Sequence, residues 1–556
     1  MTETSSPSPE EARHGQDPAA PTSVTAVVGL LVLFELMSGF LQTGITPLLP
    51  ELGEHLGIGD STLNWIVSVQ LLAGAVMVPA FGRLGDLYGH RRMLRVAIAA
   101  VAVGTLLVAL APGFPVLLLG RVFQGALVAL LPLEIALVRD RLPVDQARRA
   151  IARLVGALTL GSLLGAVVMG ATAKAVHSVQ LVLLVPAFFA LLCVPVSFLF
   201  IPESVPRAVG RPDWPGAALL GLSLLSLLGG VSRVDHDGWL SAGVLLPLFL
   251  FAVLICAWVR RELRCAAPLV DLRAMKGRGV ARLYLVSFFF GVMYFGSQSP
   301  NATFLAADPA TDGYGFGLTA LDISLVSLPG AVAALLTSGC TALIARHLGY
   351  RGTLMTAFGL MAAGFLALGC LHDTVVEVAA AVAVCGAGIG AALGAMPTVI
   401  VEATEPEHTG VASALYNNVK TVGGAVSGGA VASLLASHTR PGGTTPYEGG
   451  YTAVWLLCAV CGLGAIAAVA GHGTGGGRVS ALGLLRSGRT GRRSAPAVRL
   501  RGSTEPPGRR LGDQSGSRAV LRAVRSGSRR RVRVRIAGRG RSRGRGRYEQ
   551  RKPARS

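Results

Sequence analysis

The sequence predicts an all-α integral membrane protein, and three observations lead to this fold class. Of the 556 residues, 51% are hydrophobic and only 15% are charged, with a mean hydropathy of +0.56. Such a composition is typical of a chain that lies in a bilayer. Apolar runs of about 20 residues, long enough to cross a membrane as helices, recur along the sequence. Basic residues are concentrated in alternate connections between these runs, as expected of a multi-span protein.

Fourteen apolar runs are predicted as membrane spans. The seventh is weakened by glycine and serine, and the last barely reaches the length that a bilayer requires. In chain order they lie at 24–43, 61–81, 93–112, 115–138, 151–173, 179–201, 215–232, 239–259, 280–299, 321–344, 353–371, 376–400, 410–436 and 452–471.

The distribution of charge over the connections predicts the orientation. Basic residues follow the even-numbered spans, and acidic residues such as Glu51 and Asp308 occupy the alternate connections. Because basic loops stay in the cytoplasm, both termini are predicted to be cytoplasmic. The acidic connection after the twelfth span (Glu402, Glu405 and Glu407) breaks the pattern.

The two ends of the chain differ in composition from the body. Residues 1–22 are rich in proline, serine and acidic residues and are predicted to be a disordered cytoplasmic leader. Residues 472–556 form an Arg/Gly/Ser-rich tail, predicted to be disordered, and 478–556 carries 25 basic against 3 acidic residues. Three interpretations of the tail stay open: it binds anionic lipid, it binds RNA although Tyr548 is its one aromatic residue, or it is an out-of-frame extension.

A charged, glycine-containing connection follows the second span. Residues 82–94 read GRLGDLYGHRRML. The spacing G-x-L-x-D-x-x-G-x-R-R resembles the signature loop of the major facilitator superfamily of secondary transporters. The resemblance implies a conformational latch formed by Gly82, Asp86, Gly89, Arg91 and Arg92. In this latch Asp86 would face the helix N-terminus at Thr409 and Gly410, where a carboxylate is stabilised by the helix dipole.

Weak internal repeats extend this resemblance. Residues 342–351 (ALIARHLGYR) echo the signature loop with Arg346 in place of the aspartate, and 125–132 (GALVALLP) recurs as 390–397 (GAALGAMP). The layout resembles the fourteen-span drug:proton antiporter branch of the superfamily. It implies a six-helix bundle at 23–202, an inserted helix pair at 203–278 and a second six-helix bundle at 279–471.

Two further stretches resemble elements of that branch. Arg121 and Gln124 occupy its R-x-x-Q-G element in the fourth span. Gly161, Gly165 and Gly170 follow its glycine-rich antiporter element in the fifth span and are predicted to pack helices closely. Ala166 stands where the branch has proline, so the expected kink is absent.

Buried ionisable groups are the candidates for proton coupling. Glu35 lies near the middle of the first span and Glu134 about one turn from the end of the fourth. Charged groups at such depths are costly and therefore usually functional. Glu35 is predicted to carry the proton, with Arg121 as a nearby cation that tunes it and Glu134 as the alternative carrier; an interfacial anchor is the other reading of Glu134.

Polar residues in the thirteenth span predict a substrate cavity. Asn417, Asn418 and Lys420 lie near midspan and are assigned to the cavity together with Gln124, although hydrogen bonding between helices is an alternative role.

The predicted function is proton-coupled export of amphipathic small molecules, drugs or antibiotics, by a monomer in the inner cell membrane. Uptake or facilitated diffusion of a metabolite on the same fold is the first alternative, and a membrane-anchored RNA-binding protein acting through the tail is the second. No enzymatic activity, metal or cofactor is expected, and the absence of a G-x-x-x-x-G-K-[ST] motif argues against direct use of ATP.

Overall fold

The computed structural model describes residues 21–176, 178–201, 213–231, 241–265, 268, 272–275, 278–404, 409–439 and 445–471. Nearly all of this backbone is α-helical, and no β-strand occurs in these ranges. The predicted all-α fold is confirmed. The tail at 472–556 and all but the end of the leader at 1–22 lie outside the described residues, so their disorder stays a prediction.

The described residues up to 201 form eight α-helices. The helix Asp60–Tyr88 ends at Gly89, which has φ 100°. Residues with a Cβ disfavour this backbone conformation, and glycine does not. A 3-10 turn, Thr46–Leu48, joins the first two helices. The eight are α1 Pro21–Gly44, α2 Leu49–Leu56, α3 Asp60–Tyr88, α4 His90–Ala109, α5 Phe114–Gln124, α6 Leu127–Arg141, α7 Val144–Ala175 and α8 Val179–Phe200.

Two helices occupy the predicted insert. They are α9 Trp214–Val231 and α10 Ala242–Arg264, and they pack against each other. A salt bridge ties them, with Arg261 Nη2 2.7 Å from Asp213 Oδ1 and the carboxylate of Asp213 almost fully buried. The apolar part of α9, Trp214–Leu227, is shorter than the other candidate spans.

The described residues from 278 onward contain seven further α-helices. A 3-10 turn, Leu272–Met275, precedes them. They are α11 Arg278–Gly296, α12 Gln298–Ala306, α13 Pro309–Asp312, α14 Ala320–Cys370, α15 Val375–Glu402, α16 Thr409–Ser437 and α17 Glu448–Ala470.

The 51-residue helix α14 is broken at one residue. Gly349 has φ 68° and ψ 162°, which are not helical angles. In the part of the chain that the structure describes, twelve helical segments are long and apolar enough to cross a membrane, and α14 counts as one of them. The number of fourteen crossings therefore stays a prediction.

Glycines set the contact between α1 and α7. A Cβ on Gly39 would lie 2.0 Å from the carbonyl oxygen of Leu158, and one on Gly161 would lie 2.1 Å from that of Leu36. Gly165 is similarly close to the backbone of Phe40. Backbones approach this closely only where no side chain intervenes, so two of the three predicted packing glycines lie at this contact.

The bundle has two ends, defined here by its first two connections. The loop-1 end contains residues 45–59, which join α1 to α3, and the loop-2 end contains Gly89, which joins α3 to α4. At the loop-1 end, Asn64 Nδ2 donates to the Gly428 carbonyl (2.6 Å) and Ser324 Oγ donates to that of Ala166 (2.8 Å). These bonds join the first half of the bundle, α1–α8, to the second half, α11–α17.

Candidate functional site

Two glutamates lie inside the first half. Glu35 is on α1 and Glu134 is on α6, and these helices are packed together. Both side chains are completely shielded from solvent. The neighbouring residues on each helix are mostly apolar, so the two carboxyl groups are polar exceptions in a dry interior.

The two carboxyl groups are each other's partners. The side chains of Glu35 and Glu134 lie close enough to interact directly. Apart from this contact, none of their four oxygens accepts a hydrogen bond from another group within the described residues. Two ionised carboxylates in contact would repel each other without compensation. A proton shared between the two groups would turn this repulsion into a hydrogen bond, as in other carboxyl dyads.

Arg121 lies in a separate polar cluster in the same half. Its Nε donates to the carbonyl oxygen of Ile66 (2.7 Å) and its Nη1 donates to Gln124 Oε1 (2.7 Å). The Gln124 amide in turn donates to Thr105 Oγ1 (3.0 Å). Arg121 and Gln124 are both buried. The guanidinium is thus held by neutral acceptors on α3 and α5.

The structure does not bring Arg121 to Glu35, although the sequence predicted them as neighbours. The contact of Glu35 is Glu134. Arg121 and Glu134 are thirteen residues apart on α5 and α6, or roughly 20 Å of helix rise at 1.5 Å per residue. Arg121 and Gln124 instead line a cavity of about 20 Å³, which has room for about one water molecule. Its other walls include Phe40, Met169 and Pro186.

The signature loop centres on a buried histidine. His90 Nε2 is 3.3 Å from Asp86 Oδ1, and His90 Nδ1 is 3.4 Å from Asp140 Oδ2. The imidazole therefore links the end of α3 to the end of α6 at the loop-2 end. Gly85 allows this contact, because a Cβ there would lie 2.8 Å from the imidazole ring.

The other predicted latch residues lie at the same end of the bundle as this histidine. A Cβ on Gly82 would meet open space, Arg91 is half-buried and Arg92 is exposed. Residues 405–408 and the surroundings of Thr409 and Gly410 lie outside the described part of the chain. The predicted contact of Asp86 with the start of α16 therefore stays a prediction.

The third predicted packing glycine lies between the halves of the bundle. A Cβ on Gly170 of α7 would be 2.7 Å from the carbonyl oxygen of Ala320 and 2.5 Å from Ser324 Oγ, both on α14. Ala166, which stands in the place of the expected proline, accepts a hydrogen bond from the same serine. The glycines of α7 thus contact two different helices, α1 at Gly161 and Gly165 and α14 at Gly170.

The predicted polar residues of α16 are in the second half. Asn418 is buried, whereas Asn417 and Lys420 are partly exposed. Lys420 Nζ lies 5.9 Å from the centre of the Tyr416 ring, one turn earlier. No hydrogen bond in the described part of the chain joins these residues to Gln124, which is bound within the cluster of Arg121.

Three residues in these sites were not assigned a role from the sequence. Asp140 and His90 belong to the loop-2 cluster, and Tyr416 contacts Lys420. The contact of Tyr416 with Lys420 could have been predicted, because residues four apart on a helix are neighbours on its surface. No spacing rule connects His90 to Asp140, because they lie on different helices far apart in the chain.

Comparisons with known proteins give a consistent result. The family model of the Major Facilitator Superfamily matches residues 31–428. The multidrug efflux pump LfrA of Mycolicibacterium smegmatis is 28% identical over 448 residues, which cover 78% of this chain and 86% of that protein. The cephamycin export protein CmcT of Amycolatopsis lactamdurans is 27% identical, over 76% of this chain and 87% of the relative.

Solved structures show the same fold at lower identity. The nucleoside transporter NupG aligns with a TM-score of 0.56 and 13% identity over 80% of this chain and 98% of its own. The xylose transporter XylE from E. coli aligns with a TM-score of 0.54 and 14% identity over 80% and 97% of the two chains.

Proposed function

The chain belongs to the Major Facilitator Superfamily, and on that premise we propose that it exports amphipathic small molecules, drugs or antibiotics, across the cell membrane in exchange for protons. The named functions of its relatives, multidrug efflux and antibiotic export, support this substrate class. The protein is then a transporter in a multi-pass fold and not an enzyme.

The observation that carries proton coupling is the pair of Glu35 and Glu134. A dry carboxyl pair that shares one proton carries a single negative charge, and loss of that proton leaves two adjacent charges, so the proton is held while the pair stays dry and closed. It lies on two helices of one half, so movement of α1 against α6 changes the distance between the two groups. Proton binding is thereby linked to the conformation of the bundle.

The cycle that follows is an alternating exchange. When water reaches the pair, the shared proton leaves and the resulting repulsion favours separation of α1 and α6. When the pair is dry, the proton is held and the helices stay together. Substrate that enters the open bundle stabilises the open conformation relative to the closed conformation, in which the pair is protonated. Each conformation of the transporter thus favours either the proton or the substrate.

Conservative variants of the pair test this proposal. In inverted membrane vesicles that contain the full chain, rhodamine 123 uptake driven by a pH gradient is measured for Glu35→Gln and Glu134→Gln. Loss of coupling should reduce gradient-driven uptake by about 10-fold or more, while rhodamine 123 binding to the purified protein persists. The matched control is Glu402→Gln, the same change at an exposed position. Gradient-driven uptake at the wild-type rate in both pair variants would contradict the proposal.

We also propose a topology of fourteen crossings with both termini in the cytoplasm of an inner-membrane monomer. A 51-residue α14 would be about 76 Å long at 1.5 Å per residue, over twice the roughly 30 Å bilayer core, so its break at Gly349 separates two crossings. In a cysteine-free variant, a cysteine at Asp308 should react with an impermeant maleimide from outside intact cells, and one at Arg273 should not. The reverse labelling would contradict this orientation.

A further inference from the structure

A lysine inside the second half of the bundle has no counter-charge among the described residues. Lys420 lies on α16, where Gly291 of α11 packs against its backbone: a Cβ on that glycine would be 1.9 Å from the Lys420 carbonyl oxygen. The ammonium approaches the ring of Tyr416, which is itself buried. The side chain therefore lies within the bundle, and it is only partly buried.

The described carboxylates do not compensate this charge. Among the ion pairs of the described residues, none involves Lys420. Glu35 and Glu134, the acids buried in the opposite half, contact each other. A cation inside a membrane protein is costly unless it has a partner. The partly exposed Lys420 is thus open to a partner that comes from outside the protein.

The groups beside the ammonium are suited to the same partner. Tyr416 Oη is buried and has no hydrogen-bond partner in the described part of the chain. Asn417 is three residues from Lys420, on the neighbouring part of the helix face, and its amide nitrogen is a donor. An ammonium donates only, and a hydroxyl and an amide each supply a donor. This arrangement favours a ligand rich in acceptors.

We propose that Lys420, Tyr416 and Asn417 form a subsite for a carboxylate on the exported molecule, so that carboxylate-bearing amphipathic compounds are preferred substrates. This inference rests on the proposed export function and specifies its substrate class. Charge-assisted hydrogen bonds from the ammonium would hold the carboxylate, while the apolar walls of the bundle would bind the rest of the molecule. The subsite lies in the half that does not contain the carboxyl pair, so substrate and proton occupy different halves.

Two probes that differ only in a carboxylate test the subsite. Rhodamine 110 carries a free carboxylate, and rhodamine 123 is its methyl ester. Binding of each to the purified full chain is measured by fluorescence anisotropy at constant pH and ionic strength. The wild type should bind rhodamine 110 more tightly, and Lys420→Gln should weaken that binding by about 10-fold or more, since hydrogen bonds to charged groups contribute about 1.5–3 kcal/mol. Binding of rhodamine 123 should change by less than about 2-fold in the same variant.

Two further variants separate recognition from folding. Lys420→Arg keeps a cation and should retain most of the preference for rhodamine 110, whereas Tyr416→Phe should lose part of it without loss of charge. Lys174→Gln, the same chemical change at an exposed site on α7, is the matched control and should leave both affinities unchanged. Gel filtration of each variant reports whether it is folded.

The outcomes distinguish this inference from the export proposal. Equal binding of the two rhodamines by the wild type, or an equal loss of both in Lys420→Gln with Lys420→Arg no better, would overturn the carboxylate subsite. Gradient-driven transport of rhodamine 123 could persist in that case. Conversely, if the Glu35 and Glu134 variants transport normally, proton coupling fails even where rhodamine 110 is preferred.

Discussion

The two halves of the bundle differ in how their inner ionisable side chains are paired. In the first half, Glu35 and Glu134 are in contact, and Arg121 is bound to neutral acceptors. In the second half, Lys420 lies within the bundle with no acidic partner among the described residues. The carboxyl pair thus lies in one half and this lysine in the other.

This difference has a consequence for coupling. If proton and substrate occupied the same groups, one could displace the other directly. In the proposed mechanism the carboxyl pair and the lysine are on different helices, α1 and α6 for the pair and α16 for the lysine, so each would act on the other through the movement of the halves. The coupling is then a difference in affinity between two conformations, and the contacts that hold those conformations determine its size.

Glycines with the same spacing also differ between the halves. Gly161 and Gly165 pack against α1 within the first half. On α16, Gly424 and Gly428 have the same G-x-x-x-G spacing, and a Cβ on Gly428 would lie 1.6 Å from Ser68 Oγ of α3, across the boundary between the halves. The first pair therefore maintains one half, and the second maintains the closure of the loop-1 end.

The largest expected effect comes from filling the glycine contact inside the first half. In Gly161→Val, the new Cβ meets the carbonyl oxygen of Leu36 at 2.1 Å, and backbone cannot move aside as a flexible side chain can. Overpacking of this kind costs about 3 kcal/mol or more, so we expect little folded protein in detergent and a much lower thermal midpoint. The measurement is fluorescence-detected gel filtration with heating.

Gly156→Val is the control for that change. Gly156 lies on the same helix with open space around it, so the variant differs only by the loss of helical glycine. A Gly161→Val protein as stable as the Gly156→Val protein would show that α1 and α7 are not in close contact, and the assignment of this pair to the interior of one half would fail.

Most of the fold could be predicted from the sequence, because each membrane helix is determined by its own stretch of apolar residues. Twenty-residue apolar runs form helices in a membrane wherever they occur, and the positive-φ glycines Gly89 and Gly349 mark the same junction in both halves. Whether α9 crosses the membrane was harder to predict, because its apolar stretch is short and the salt bridge between Asp213 and Arg261 holds it against α10. That pair joins residues 48 positions apart, which no local pattern reveals.

Only part of the candidate site could be predicted from the sequence. The sequence indicated Glu35, Glu134 and Arg121 as buried ionisable residues, because charge within an apolar run is conspicuous. It did not indicate which of them meet. The depth of Arg121, two turns after the start of α5, puts it near Gly44 and Ile45 instead of Glu35. Such pairings depend on the tilt and rotation of helices, which follow from packing and not from spacing along the chain.

The two signature junctions give the last comparison. Both contain a glycine with positive φ, 100° at Gly89 and 68° at Gly349. The first junction carries Asp86, whose carboxylate is half-exposed and 3.3 Å from His90. The second carries the exposed Arg346 at the corresponding place. At that position, therefore, the first junction has an anion that could bind the positive end of a helix dipole, and the second has a cation.

The smallest expected effect is that of Asp86→Asn, which tests the latch at the loop-2 end. A carboxylate at a helix N-terminus contributes about 0.3–1 kcal/mol, and up to about 2 kcal/mol when partly buried. We therefore expect a reduction of export by several-fold at normal expression, measured as rhodamine 123 uptake in inverted vesicles, because the conformation closed at that end is less populated. Arg346→Gln, the matched change at the second junction, should have no comparable effect.

The latch would act in the conformation that is closed at the loop-2 end, because the described hydrogen bonds between the halves include those at the loop-1 end. Its loss should therefore leave the thermal stability of the present conformation unchanged. Equal transport by wild type and Asp86→Asn would mean that the first junction differs from the second in charge alone and not in function.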